Sequence, residues 1–176
     1  MRKPSNDESI TNLEYAIKYY PYYKTDNCSK WIIPIQPKWH ELLFPDIKNP
    51  DLFSDLPENY SASSNTIKKA YLCHAIVKKI KQGDLVYFYR SDDRKSVECV
   101  GIIEKTFRSS KADEIIAEVS KRTVYSNDTI NDIVKEEALV ILFRLLEYIK
   151  PISRTELYKR GIKSPIQTIR RINISL

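Results

Sequence analysis

The stretch Gly83–Ile103, GDLVYFYRSDDRKSVECVGII, gives the clearest indication of the fold. Residues Leu85–Tyr89 and Ser96–Ile103 are rich in β-branched and aromatic side chains, and the polar sequence SDDRK separates them. Two such runs joined by a polar turn predict a β-hairpin. Because side chains alternate between the two faces of a strand, both faces of the first strand carry aromatic residues.

The flanking segments predict short strands mixed with short helices. Trp31–Gln36 indicates a strand whose Pro34 favours an edge or a bulge, and Pro37 can open a helix that reaches Phe44. The other expected elements are a helix within Ile10–Tyr20, a surface loop over Pro45–Ser64, helices over Thr66–Leu72 and Ala75–Lys81, a helix capped by Ser110 and Asp113, a helix from Asp128 to Val134, a buried strand Ala138–Leu146, a helix from Ser153 to Gly161 and an extended piece containing Ile169, Arg170 and Arg171.

This irregular order, without long βαβ periods, predicts an α+β pseudo-barrel flanked by short helices. A chain of 176 residues is long enough for one well-buried core and too short for two ordinary domains. We expect residues 1–30 to form an arm, lid or linker and residues 31–176 to form the compact domain.

The net charge of +6 is concentrated at one end of the chain. Residues Lys150–Leu176 contain seven basic residues and one acidic residue, Glu156, and therefore hold the whole excess. A second basic stretch, from Lys68 to Lys95, is offset by the acidic segment from Glu41 to Glu58. Two basic regions on a small domain are typical of a protein that binds a polyanion.

Several classes of function are disfavoured. The three glycines, Gly83, Gly101 and Gly161, cannot build a P-loop or a dinucleotide fingerprint, so no cofactor is expected. The three cysteines and two histidines lack metal-site spacing, and no hydrolase or metalloprotease motif occurs. No apolar run reaches the length of a membrane span, and the N-terminus lacks a signal-peptide pattern, so we expect a soluble cytoplasmic protein.

Two polar strings place cations and hydroxyls beside an aromatic residue. Tyr89-Arg90-Ser91 ends a predicted strand, and Lys121-Arg122-Thr123 leads into Tyr125-Ser126. Such sets can stack on a base while holding a phosphate oxygen. A solvated loop is the competing interpretation of each string.

Six strings, which occur in the same order and at similar separations, resemble a PUA-like domain that often follows an acetyltransferase domain in prokaryotic proteins. They are WIIPIQPKWHELLFPD (31–46), NTIKKAYLCHA (65–75), GDLVYFYRS (83–91), VGIIEKT (100–106), KRTVYS (121–126) and ILFRL (141–145).

More distantly, the chain resembles EVE domains, and its plan is similar to that of ASCH and YTH domains. The resemblance implies a β-barrel with a cleft for a single base or nucleoside, often a modified one. The acetyl-CoA loop of the acetyltransferases and the GxKxxExR pattern of many ASCH domains are absent from the sequence.

These observations lead to a binding hypothesis in which the cleft takes an unpaired, damaged or modified base of RNA or DNA. Flipping a base out of a duplex costs a few kcal/mol, which favours such bases. The residues expected to contact the base are Gln36, Trp39, Tyr89, Ser91, Thr123 and Tyr125. The residues expected to hold the backbone are Lys68, Lys69, Arg90, Lys121, Arg122, Arg170 and Arg171.

Two other interpretations stay open at this point. One is a hydrolase acting on a modified nucleoside or on RNA, with His40, Lys121 and Thr123 as catalytic candidates. The other is a regulatory or toxin–antitoxin module, in which the tyrosine-rich segment Tyr19–Tyr23 contacts a partner, an acetyltransferase domain or a second copy of the chain.

Overall fold

The computed structural model describes residues 9–45, 67–174 and 176. Within them the chain forms the following elements in order: α1 (Asn12–Lys18), β1 (Lys30–Ile35), α2 (Pro37–Leu43), β2 (Lys68–Cys73), β3 (Leu85–Arg90), β4 (Ser96–Ser109), α3 (Ala112–Val119), α4 (Asn127–Ile133), β5 (Ala138–Ser153), α5 (Arg154–Lys159) and β6 (Arg170–Ile172).

The strands form one mixed six-stranded sheet in the order β2-β5-β4-β3-β1-β6. β1 pairs in parallel with β3, and the other neighbouring strands are antiparallel. The long strands β4 and β5 form the centre, and register shifts at Val97/Cys99, Val100/Gly101 and Ile103/Lys105 interrupt their ladder. Such bulges increase the local twist and bend a sheet.

The bend creates one inner and two outer layers of buried side chains. The inner core packs Phe44 of α2 against Phe88 of β3 and Phe143 of β5. On the opposite face, a first outer layer lies beneath α1 and α5 and includes Tyr87 and Leu157. A second outer layer, beneath α3 and α4, includes Ile115, Ile130 and Leu142.

Tyr71 connects the two ends of the curved sheet. Its hydroxyl donates a hydrogen bond to the carbonyl oxygen of Pro34 at 3.1 Å, which joins β2 to β1 although three strands separate them in the sheet. No backbone ladder joins β2 to β1 or β6 within the described residues. The α+β fold class is therefore confirmed, and a side-chain contact rather than strand pairing brings the ends of this pseudo-barrel together.

A buried carboxylate fixes the parallel pair at the start of β1. Asp84 is 6% exposed and accepts hydrogen bonds from the backbone N–H of Ser29 (3.0 Å), the indole Nε1 of Trp31 (2.9 Å) and the backbone N–H of Lys81 (2.9 Å). Parallel strands have no tight turn to set their register. These three bonds tie the entry of β1 to the turn that precedes β3.

Most of the predicted elements are found, and the hairpin of β3 and β4 is confirmed. Two predicted helices are wrong. Thr66–Leu72 was expected to be helical, but residues 68–73 form the strand β2, which pairs with β5. Residues 75–80 form no helix, and Arg108 donates to the carbonyl oxygens of Ala75 and Val77.

The start of α3 also differs from the prediction. The Ser110–Asp113 capping box is wrong, because α3 begins after Lys111 and no side chain caps it among the described residues. Ser109 instead forms hydrogen bonds across the turn before the helix. Its hydroxyl accepts a hydrogen bond from the backbone N–H of Lys111 at 3.0 Å and lies 2.8 Å from the Glu114 carboxylate. The predicted loop Pro45–Ser64 lies outside the described residues except for Pro45.

The N-terminal segment contributes to the core. Thr11 and Glu14 form a capping box at the start of α1, and Leu13 and Ala16 pack in the first outer layer. The division of the chain at residue 30 stays a prediction, but α1 is packed against the sheet of the compact domain.

Candidate nucleic-acid interface

An aromatic pair lies where α2 meets the loop after α3. Pro37 starts α2 directly after β1, which places Trp39 against Tyr125 with ring centroids 4.7 Å apart and an interplanar angle of 46°. The Lys38 ammonium lies 4.9 Å from the Trp39 ring centroid, and Thr123 Oγ1 accepts a hydrogen bond from the Tyr125 backbone N–H at 3.2 Å. We call Lys38, Trp39, Thr123 and Tyr125 the aromatic mouth.

Trp39 is the more accessible ring of this mouth. It is half-buried, whereas Tyr125 is 5% exposed. Burial raises the pKa of Tyr125. Gln36, the residue before α2, is exposed and makes no capping bond with its side chain. Tyr125 therefore supports Trp39 from behind, and Gln36, Trp39 and Thr123 are the predicted base-contacting residues that remain within reach of a ligand.

The side chains of the string Tyr89-Arg90-Ser91 contact other groups of the protein. Tyr89 is 5% exposed and packs in the first outer layer, away from Trp39. The Ser91 hydroxyl donates to the Ile35 carbonyl oxygen at 3.1 Å. A ring that is nearly fully buried presents no free face for stacking, so Tyr89 acts as a packing residue in this structure.

Arg90 is also engaged by protein groups. Its guanidinium binds the carboxylates of Asp93 (2.5 Å) and Glu41 (2.6 Å), and this pairing lowers the pKa of Asp93 and raises that of Arg90. The Arg90 side chain itself is 6% exposed. It connects α2 to the turn between β3 and β4 and is not available to a phosphate.

The lysines and arginines around β2 differ in their surroundings. Lys68 and Lys121 are exposed, whereas Lys69 is 1% exposed and its ammonium lies 5.9 Å from the Phe44 ring centroid. Burial lowers the pKa of Lys69 to about 8. Arg122 pairs with Glu104 at 2.7 Å. Of the four predicted backbone contacts in this region, only Lys68 and Lys121 extend into solvent.

Arg170 and Arg171 lie at the far edge of the sheet. Arg170 pairs with Ile32 and Arg171 with Trp31, so the two side chains leave opposite faces of β6. Gln36 lies four residues beyond Ile32, about 13 Å along the strand direction. The structure therefore does not bring these arginines to the aromatic mouth.

A basic outer surface surrounds α5. Its exposed residues share positive charge, and Tyr158 of α5 is 53% exposed among them. They are Lys150, Lys159, Arg160 and Lys163. The sequence indicated the positive charge of this surface. It did not indicate that Tyr158 is exposed, because this follows only once its neighbour Leu157 is known to pack in the core.

The three catalytic candidates are not assembled. Lys121 is exposed, Thr123 belongs to the aromatic mouth, and His40 is 4% exposed beneath α2. His40 Nε2 lies 3.7 Å from the Glu98 carboxylate, too far for a hydrogen bond, and has no other partner among the residues that the structure describes. Burial, together with the charges of Arg90 and Arg94, lowers the pKa of His40 to about 4.

Two features are absent from the described residues. No group of three or more His, Cys, Asp or Glu side chains is arranged to hold a metal ion. No helix has the length and apolar character needed to cross a membrane. A surface cavity of about 240 Å³ opens beside Val77, Ile80, Phe107 and Arg108, apart from the predicted base-contacting residues.

The fold is similar to that of solved ASCH proteins, which have the PUA-like fold. An ASCH protein from Zymomonas mobilis superposes with a TM-score of 0.59 at 15% identity, covering 82% of this chain and 87% of that chain. Two point variants of that protein give TM-scores of 0.61 and 0.60 at 13% and 14% identity, covering 82% of this chain and 90% and 88% of theirs. No protein-family model matches the sequence, and no curated protein matches it significantly.

The buried His40 should make the protein sensitive to acid. Its pKa is about 4 in the folded chain and near 6.5 when unfolded, so the unfolded state binds more protons between these values. Folding stability should therefore fall as the pH decreases from 6.5 to 4, with His40 contributing about 3 kcal/mol of that loss. Urea unfolding of wild type and His40→Phe across this range measures the contribution.

The Phe variant should lose less stability in acid than wild type. His74→Phe, the same change at an exposed histidine, is the control and should keep the wild-type loss. Parallel acid profiles for wild type and His40→Phe would contradict the assignment.

Proposed function

We propose that this protein is a PUA-like module that binds single-stranded nucleic acid and recognises one unpaired or modified base. The observation that carries the proposal is the exposed basic surface around α5, where exposed Lys159, Arg160 and Lys163 follow within five residues of an exposed Tyr158. Cations that neutralise phosphates supply most of the affinity of non-specific binding. An aromatic ring among them can stack on any base.

The charge of this surface is poorly compensated by the protein. Among the described residues, Glu156 pairs with Arg160 at 3.4 Å, and no ion pair is formed by Lys159 or Lys163. Arg90, Arg122 and Arg144, by contrast, are paired with carboxylates. α5 and the segment that follows it thus present positive charge that the protein does not fully neutralise.

The aromatic mouth is the proposed place for base recognition. Trp39 offers a partly exposed ring, and two polar side chains are connected to it through the chain or through contacts. Gln36 precedes it by three residues, and Thr123 bonds to the backbone of its ring partner Tyr125. A flat ring with polar groups at its rim can select a base by stacking and by contacts to its edge. The PUA-like resemblance, which implies a base-binding cleft, supports this assignment.

Neutralising the α5 surface should weaken binding. The triple variant Lys159→Gln, Arg160→Gln, Lys163→Gln removes three cations that would each release a counterion from a single strand. At about 50 mM salt we expect at least a roughly tenfold loss of affinity for a labelled single-stranded RNA or DNA, and a salt slope reduced by about 2. Fluorescence anisotropy over a salt series measures both quantities.

A matched triple variant, Lys78→Gln, Lys79→Gln, Lys81→Gln, removes the same charge from exposed residues outside α5 and should have the smaller effect. Equal losses in the two triples would place the binding surface elsewhere. Failure of the wild-type protein to bind any RNA or DNA would contradict the proposed function.

Trp39 should report base stacking directly. Trp31 is 4% exposed and bonded to Asp84, so a bound base can quench mainly the Trp39 fluorescence. We expect single-stranded oligonucleotides to quench the emission of wild type and to quench Trp39→Phe much less. An abasic oligonucleotide of the same length is the control for phosphate binding alone, and equal quenching by it would argue against stacking at Trp39.

A hydrolase acting on a modified nucleoside or RNA is the second candidate function, and one observation favours it. Lys69 is nearly fully buried next to Phe44, and its pKa of about 8 leaves part of its amine neutral near physiological pH. A lysine tuned in this way can serve as a general base. Lys69 therefore replaces the exposed Lys121 as the candidate base.

Turnover separates the two functions. If the protein only binds, mass spectrometry of a panel of acylated and methylated nucleosides and short RNAs should show no product beyond one equivalent of protein. Product in excess, increasing as the pH rises through 8 and abolished by Lys69→Met but kept by the neighbouring Lys68→Met, would establish the hydrolase instead.

A further inference from the structure

Two guanidinium groups converge on one loop carbonyl in the basic outer surface. Arg154, at the start of α5, donates from Nη1 to the Ile162 carbonyl oxygen (2.7 Å) and from Nη2 to those of Lys163 (2.9 Å) and Ser164 (3.0 Å). Arg170 of β6 donates from Nη2 to the same Ser164 carbonyl oxygen at 2.9 Å. The loop between α5 and β6 thus holds two like charges together.

These charges have no carboxylate partner within the described part of the chain. The nearby acidic residues contact other groups. Glu156 pairs with Arg160, and the Asp92 carboxylate lies 3.3 Å from the Ser91 hydroxyl. Burial and the neighbouring Arg154 lower the pKa of Arg170, and its Nε is buried with no hydrogen-bond partner in the described ranges. The pair is therefore short of negative charge.

The pair is nevertheless open to solvent on one side. Both arginines are half-buried, and Nη1 of Arg170 makes no hydrogen bond within the described residues and is not among the buried unpartnered atoms. The Arg154 guanidinium donates to carbonyl oxygens of the loop and so positions the site. Nη1 of Arg170 can still donate a hydrogen bond to a ligand. Guanidinium groups match the oxygens of a phosphate, and an anion would compensate both charges at once.

We propose that Arg154 and Arg170 form a phosphate-binding site, in which Arg170 contacts the anion and Arg154 holds the loop and adds its charge. The ligand is a backbone phosphodiester, an assignment that rests on the proposed nucleic-acid binding. The exposed Lys163 and Tyr158 lie on the same loop and helix and would carry the strand onward.

Inorganic phosphate tests the site without any nucleic acid. The arginine Nε–H signals of the ¹⁵N-labelled wild-type protein are followed by NMR during a phosphate titration at constant ionic strength, with chloride as the reference anion. The Arg170→Lys variant assigns the Arg170 signal. We expect a saturable shift of Arg170 that exceeds the shift of Arg171, which leaves the opposite face of β6. Linear shifts of equal size, or none, would overturn the site.

Oligonucleotide binding by Arg170→Gln and Arg171→Gln connects the site to the function, because the two variants lose the same charge at adjacent positions. We expect the affinity for the oligonucleotide to fall about tenfold in Arg170→Gln and about twofold in Arg171→Gln. Equal losses of affinity would overturn the assignment to a backbone phosphate. Thermal unfolding confirms that both variants fold.

Saturable phosphate binding without oligonucleotide binding would retain the site and reject the proposed function. Oligonucleotide binding without a saturable phosphate shift would reject the phosphate site and retain the proposed function.

Discussion

The buried carboxylate of Asp84 is the interaction on which the arrangement of this molecule depends. It holds the start of β1 against the turn before β3 through three hydrogen bonds, one of them from the indole of Trp31. β1 in turn positions α2 at one end and accepts β6 along its other edge. Without this anchor the start of the parallel pair would lose its fixed register, and the bonds from Ser91 to the Ile35 carbonyl oxygen would tie the two strands at the other end.

The sequence predicted the elements whose patterns are unambiguous. The β3–β4 hairpin, β1, α2 and the start of α5 at Ser153 were all recognisable from apolar runs, Pro37 and capping residues. The strand β2 was not recognisable. Lys68–Cys73 contains two adjacent lysines, and its apolar residues follow neither a helical nor an alternating period clearly. Its conformation is decided by pairing with β5, and the burial of Lys69 on the inner face follows from that pairing alone.

The candidate site was predicted less completely than the fold, for a reason that lies in strand geometry. Neighbouring residues in a strand point to opposite faces, so a string of useful side chains is divided as soon as it is part of a sheet. Tyr89 and Arg90 enter different layers, and Arg170 and Arg171 separate in the same way. Ion pairs such as Arg122–Glu104 could not be foreseen either, since their partners lie on different elements.

The short strand β6 also affects how this sheet meets other proteins. As an edge strand it exposes unpaired backbone groups, which in many proteins invite another chain to add a strand and begin aggregation. Here the edge is only three residues long, and two of them are arginines on opposite sides. An incoming strand would have to place its side chains beside a positive charge on either face of β6, which disfavours edge-to-edge association at this strand.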